Sequence, residues 1–63
     1  MNEIGVAVRQ MRKEAGLTQE KLSELSRVSR SHIAEIEAGK YSPTLKTLDA
    51  ISKACGQTIK NLL

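Results

Sequence analysis

The sequence contains no tryptophan and no phenylalanine, and its single aromatic side chain is Tyr41. A core without those rings must be built from Ile, Leu, Val, Ala and Met, a composition that suits packed helices better than a sheet. One cysteine, Cys55, excludes an internal disulfide. There is no signal peptide and no apolar run long enough to span a bilayer, so the expected setting is a reducing cytoplasm without a membrane partner. No second histidine and no paired cysteine accompany His32, and neither a phosphate loop nor a nucleophile with its base is present. Catalysis, a bound metal, a cofactor and a small-molecule substrate are therefore not expected. With 63 residues the chain is read as one domain, residues 1–63. A chain this short buries only about 60 % of its unfolded surface, too little to enclose an elaborate active site.

Ten Lys and Arg against seven Asp and Glu give a formal charge of +3, compatible with a polyanionic partner without demanding one. From Asn2 to Ala15 the apolar residues Ile4, Val8, Met11 and Ala15 recur at helical spacing, and Gly16 stops the helix. Thr18 is the expected cap of a second helix, with Glu20 in its first turn, Leu22 as its core residue and Ser23 and Ser26 small enough for close approach. After Ser26, Arg27 and Val28, Ser29 caps a third helix that buries Ile33 and Ile36 and ends at Gly39. The segment Lys40–Pro43 is a connector, because proline disfavours helix at the residue before it. Thr44 opens a fourth helix whose apolar face is Leu45, Leu48, Ile51 and Cys55, and Gly56 closes it. From Thr58 a last turn and a half reaches Leu62 and Leu63. The expected fold class is all-α: a compact bundle of five short helices.

Two short helices around a three-residue turn, Gln19 to Gly39, are in outline a DNA-binding helix-turn-helix. The stretches RKEAGLTQEKLSE, VSRSHIAEIEAGK and YSPTLKTLDAISKACG together resemble the Xre or phage-repressor type helix-turn-helix family, the lambda-repressor-like and Cro-like DNA-binding domains, over nearly the whole chain.

That resemblance implies that the third helix lies in the major groove of duplex DNA, with base contacts from Arg30, Ser31, Ala34 and Glu35. Arginine forks onto guanine, serine donates or accepts, an alanine methyl touches the thymine methyl and glutamate accepts from the cytosine amino group. Gln19 matches a family glutamine that binds phosphate and braces the reading helix. Ser29, His32, Lys40, Thr44 and Lys46 are the other expected phosphate contacts. Arg12 and Glu37 match a structural ion pair between the first helix and the end of the third.

The chain departs from the family at Arg27, where glycine is usual, and at Gln57, where an apolar residue is common. Leu25 lies on a face that is usually polar. It is read as an ordinary exposed leucine or as part of a partner-binding patch. The resemblance implies a transcriptional regulator, acting as a repressor and as a homodimer on a palindromic operator, with Leu62 and Leu63 as candidate dimer residues. The alternative is a protein-interaction module that does not depend on DNA. Within the DNA-binding class a phage-type repressor, a restriction-modification controller and a toxin-linked antitoxin all stay open. Controllers and antitoxins of this family tend to add dimerising or toxin-binding segments that a chain ending at Leu63 lacks.

Overall fold

In the computed structural model, which describes residues 3–63, four α-helices follow one another: α1 (Glu3–Glu14), α2 (Gln19–Ser26), α3 (Arg30–Glu37) and α4 (Leu45–Ala54). A single-turn 3-10 helix, Ile59–Leu62, completes the chain, and no strand occurs among the described residues. The sequence starts the first helix at Asn2, which lies outside the described residues.

Hydroxyl groups start α2, α3 and α4. Thr18 Oγ1 accepts from the Lys21 amide at 3.0 Å, Ser29 Oγ from His32 at 3.2 Å and Thr44 Oγ1 from Thr47 at 3.2 Å. Each bond satisfies an amide that has no partner within its helix, worth about 1 kcal/mol. At the other end, Gly39 adopts φ 76 after α3 and lets the Lys40 amide return to the Glu35 carbonyl at 3.0 Å. The same six-to-one bond closes α1, from Leu17 to Arg12, and α4, from Gln57 to Ser52.

The fifth helix expected from sequence is not an α-helix. Its four residues form a 3-10 turn, and Thr58 at its start makes no side-chain cap bond. A segment so short gains few i to i−4 bonds, so the tighter winding prevails. Gln57 nevertheless holds it, with its Oε1 accepting from Asn61 Nδ2 at 2.7 Å.

Val8, Met11, Leu22, Ile33, Ile36, Leu48, Ile51 and Leu62 form one buried cluster, with Ile4, Ala7, Leu17, Val28, Ala54, Cys55 and Ile59 packed against it. Leu62 is thus a core residue, unavailable as a dimer contact, whereas Leu63 is 76 % exposed. Leu45 is also misplaced by the sequence reading: it is 66 % exposed, and the inward face of α4 is Leu48, Ile51 and Ser52 with Cys55 beside them. Ser52 is fully buried because its hydroxyl donates to the Asp49 carbonyl at 2.9 Å. Ala15 is exposed, one residue beyond α1.

Two backbone positions decide how the helices meet. Gly5 is buried on α1 where that helix crosses the end of α3, and a Cβ there would run into the Ile36 carbonyl oxygen and lie 3.0 Å from that of Glu37. Arg27, the cap that ends α2, is left-handed at φ 62 and is the one non-glycine residue with positive φ among those described. Its amide still reaches the Ser23 carbonyl at 2.9 Å, and Ser26 Oγ links the turn by donating to Leu22 O and accepting from Val28 N.

These two sites respond to substitution with opposite signs. Arg27→Gly removes a steric penalty of about 1 kcal/mol, so its melting temperature rises by roughly 4–8 °C. Gly5→Ala, which in an open helix would stabilise, instead costs about 1–3 kcal/mol through overpacking. Thermal unfolding followed by circular dichroism reads both, and a rise for Gly5→Ala or a fall for Arg27→Gly contradicts the assignment.

Candidate nucleic-acid interface

The turn at Arg27, Val28 and Ser29 re-aims the chain so that α3 buries one face and offers the other. Ile33 and Ile36 are fully buried and Glu37 faces α1. Away from the two isoleucines, Arg30, Ser31 and Glu35 are exposed and Ala34 is half-buried. At about 100° per residue, Arg30, Ser31, Ala34 and Glu35 share a single arc of the helix surface. All four expected base contacts therefore lie on one outward strip.

Arg12, Glu37 and Gln19 fix the angle of that strip. Arg12 Nε donates to Glu37 Oε2 at 2.7 Å and Nη2 to Oε1 at 3.0 Å, a bidentate fork, while Nη1 donates to the Leu17 carbonyl at 2.8 Å. Gln19 Nε2 donates to Glu37 Oε1 at 3.2 Å. The side chains of Arg12 and Glu37 are only 12 % and 5 % exposed. Burial pushes the Glu37 carboxyl up, but the bonds from Arg12 and Gln19 and the positive charges of Arg12 and Arg9 outweigh it, so the group sits below the ordinary carboxylate range. The bond to Glu37 holds the Arg12 guanidinium above its usual value despite burial. Cys55 lies near enough to feel Arg12, yet burial dominates and pushes its thiol up, which keeps it a neutral core group.

Gln19 joins two shallow clefts. One is lined by Arg12, Thr18, Gln19, Glu20 and Arg30. The other is lined by Arg9, Arg12, Gln19, Ala34, Glu37 and Ala38. The structure thus brings Gln19 together with Arg30 and Ala34 along the edge of the outward strip. Arg9, on the wall of the second cleft, is a residue that sequence reasoning did not single out; its signal was only its position one turn before Arg12.

The remaining expected phosphate contacts differ in availability. Lys40 and Lys46 are exposed and make no ion pair among the described residues. Ser29 Oγ accepts from His32 N and keeps its own proton to donate. Thr44 Oγ1 donates to Thr47 Oγ1 at 3.1 Å, an exposed bond that a phosphate oxygen would replace as acceptor. His32 turns its ring against Tyr41, edge to face with centroids 4.4 Å apart, and its Nε2 is buried with no hydrogen-bond partner among the described residues. That nitrogen is turned away from solvent, and the edge contact ties the connector to α3. Leu25, 51 % exposed, lines a separate groove with Ser26, Arg27, Ala50, Lys53 and Ala54.

Removing one partner of a buried ion pair costs about 3–5 kcal/mol, whereas an exposed substitution stays within roughly 0.5 kcal/mol. Glu37→Ala accordingly lowers the melting temperature far more than Glu35→Ala; similar shifts for both would sink the pairing. The sign with pH follows from the lowered carboxyl. Its contribution is complete above the ordinary carboxylate range and is lost as pH falls through that range towards the depressed folded-state value. In Glu37→Gln this part of the acid destabilisation disappears, which urea unfolding along a descending pH series measures.

Comparison with known proteins agrees with this geometry. A helix-turn-helix family model matches residues 8–62. The immunity repressor protein of Bacillus phage phi105 is 43 % identical over 53 residues, covering 84 % of this chain and 37 % of that protein. An uncharacterised helix-turn-helix transcriptional regulator of Methanothermobacter thermautotrophicus is 46 % identical over 50 residues, 79 % of this chain and 72 % of its own length. The chain thus spans little more than a third of the phage repressor. The crystal structure of the restriction-modification controller C.AhdI from Aeromonas hydrophila superposes with a TM-score of 0.92 at 28 % identity, covering 97 % of this chain and 92 % of that one. Length therefore gives no reason to prefer a phage-type repressor over a controller. With the capped helices, the three-residue turn and the exposed strip on α3, the matches converge: the chain belongs to the Xre-type helix-turn-helix family of DNA-binding transcriptional regulators.

Proposed function

We propose that residues 1–63 work as one sequence-reading domain that places α3 in the major groove of duplex DNA and represses transcription as a homodimer on a palindromic operator, in the cytoplasm and without a cofactor. The observation that carries this reading is the outward strip of Arg30, Ser31, Ala34 and Glu35, set away from the buried Ile33 and Ile36. Arg30 forks onto guanine O6 and N7, and the contact discriminates by about 1–3 kcal/mol. Ser31 and Glu35 read neighbouring base edges, and the Ala34 methyl meets a thymine methyl. Gln19, Ser29, Lys40, Thr44 and Lys46 hold the backbone, fixing register without reading sequence. His32 acts on the same backbone through Tyr41, by holding the connector that carries Lys40.

A single module this small buries too little surface for tight site selection, so two copies on half-sites about 34 Å apart supply the rest. Exposed Leu63 is available to such a pairing.

Selection of bound sequences from a random duplex pool tests the reading, since half-site, spacing and symmetry appear together. Arg30→Ala should relax the preference at one base position. Lys40→Ala should weaken all sequences alike and lower the salt slope by about 1. Identical effects of the two on base preference would refute this division of labour.

A further inference from the structure

Of the three arginines around Gln19, two have assigned work: Arg12 is spent on Glu37 and the Leu17 carbonyl, and Arg30 stands on the reading strip. The third, Arg9, lies on the wall of the cleft that it shares with Gln19 and Ala34. Within that cleft the Arg12 and Glu37 charges cancel through their fork, so the uncancelled charge is the one on Arg9. Arg9 is exposed and makes no ion pair among the described residues. We propose that Arg9 seats a DNA backbone phosphate beside Gln19, as a contact that supplies affinity and no sequence information.

The geometry follows from the width of the groove. A helix about 10–12 Å across fills a major groove about 12 Å wide, so the two phosphate backbones must pass close along its flanks. Ala34 stands on both the reading strip and the wall of the Arg9 cleft, so a backbone flanking α3 on this side passes over that cleft. Gln19 meets it as a neutral donor with one N–H already given to Glu37. Arg9 adds the positive charge that the side otherwise lacks, and its long stem carries a planar fork matched to phosphate oxygens.

The inference rests on the DNA reading and is separable from it. Duplex binding by fluorescence anisotropy is measured across a potassium chloride series for the wild-type chain, Arg9→Ala, Arg9→Lys and, as a control for net charge, Lys60→Ala, each with its melting temperature. The expected result for Arg9→Ala is a salt slope reduced by about 0.9, the value for one lost phosphate contact. Its base preference should be unchanged, Arg9→Lys should keep most of the slope, and Lys60→Ala should lose less than Arg9→Ala. An unchanged slope in Arg9→Ala, with or without a lower melting temperature, overturns the proposal and leaves Arg9 as a distant support for Glu37. Equal loss in Lys60→Ala overturns it too, because net charge then suffices. A wild-type chain with no salt-dependent duplex binding brings down the DNA reading itself, and this inference with it.

Discussion

One carboxylate, Glu37, ties three helices together. It takes the fork of Arg12 from α1 and an amide proton from Gln19 at the start of α2 while standing at the end of α3. Such a buried pair is a weak source of net stability, since two charges must leave water to form it. What it supplies is geometry: the fork accepts few orientations, so the axis of α3 is set relative to α1 and α2 by bond directions and not by apolar packing alone. The aliphatic cluster beneath provides the driving force, and the carboxylate selects one arrangement out of those that cluster would tolerate.

The same group links the reading surface to the interior. Gln19 is at once a brace on Glu37 and a border of both clefts along the outward strip. A ligand that pulls on Gln19 pulls on a bond already shared with α1 and α3. The Gln19 side chain is thereby held in place before any outside contact is made, and such preorganisation reduces the ordering cost of binding. The His32 and Tyr41 rings do comparable work on the far side, with an aromatic edge in place of an ion pair.

The helix starts were legible in the sequence because capping is local: Thr18, Ser29 and Thr44 each bond within three residues of themselves. Buried Ile33 and Ile36 were legible from periodicity, and the strain at Arg27 from the absence of a glycine. Leu45 misled because it continues the apolar spacing of α4 across the first turn, where no neighbour arrives to cover it. The 3-10 end was hidden because Ile59 and Leu62 sit three apart, a spacing common to both helix types. Gly5, Arg9 and the His32 ring share one reason for being missed: each matters through a residue distant in the chain, and spacing within one element says nothing of that. The expected base and phosphate contacts came from family resemblance, and the structure adds only which of them share a surface.

At Gly5 the backbones of α1 and α3 meet with no side chain between them. Side chains at most helix crossings act as adjustable shims, so exchanging a valine for a leucine shifts a helix by a fraction of an ångström. This crossing has no shim to exchange. The tilt of α3 is thus nearly closed to gradual adjustment, whereas exchanging its outward residues Arg30, Ser31 and Glu35 leaves that frame unchanged.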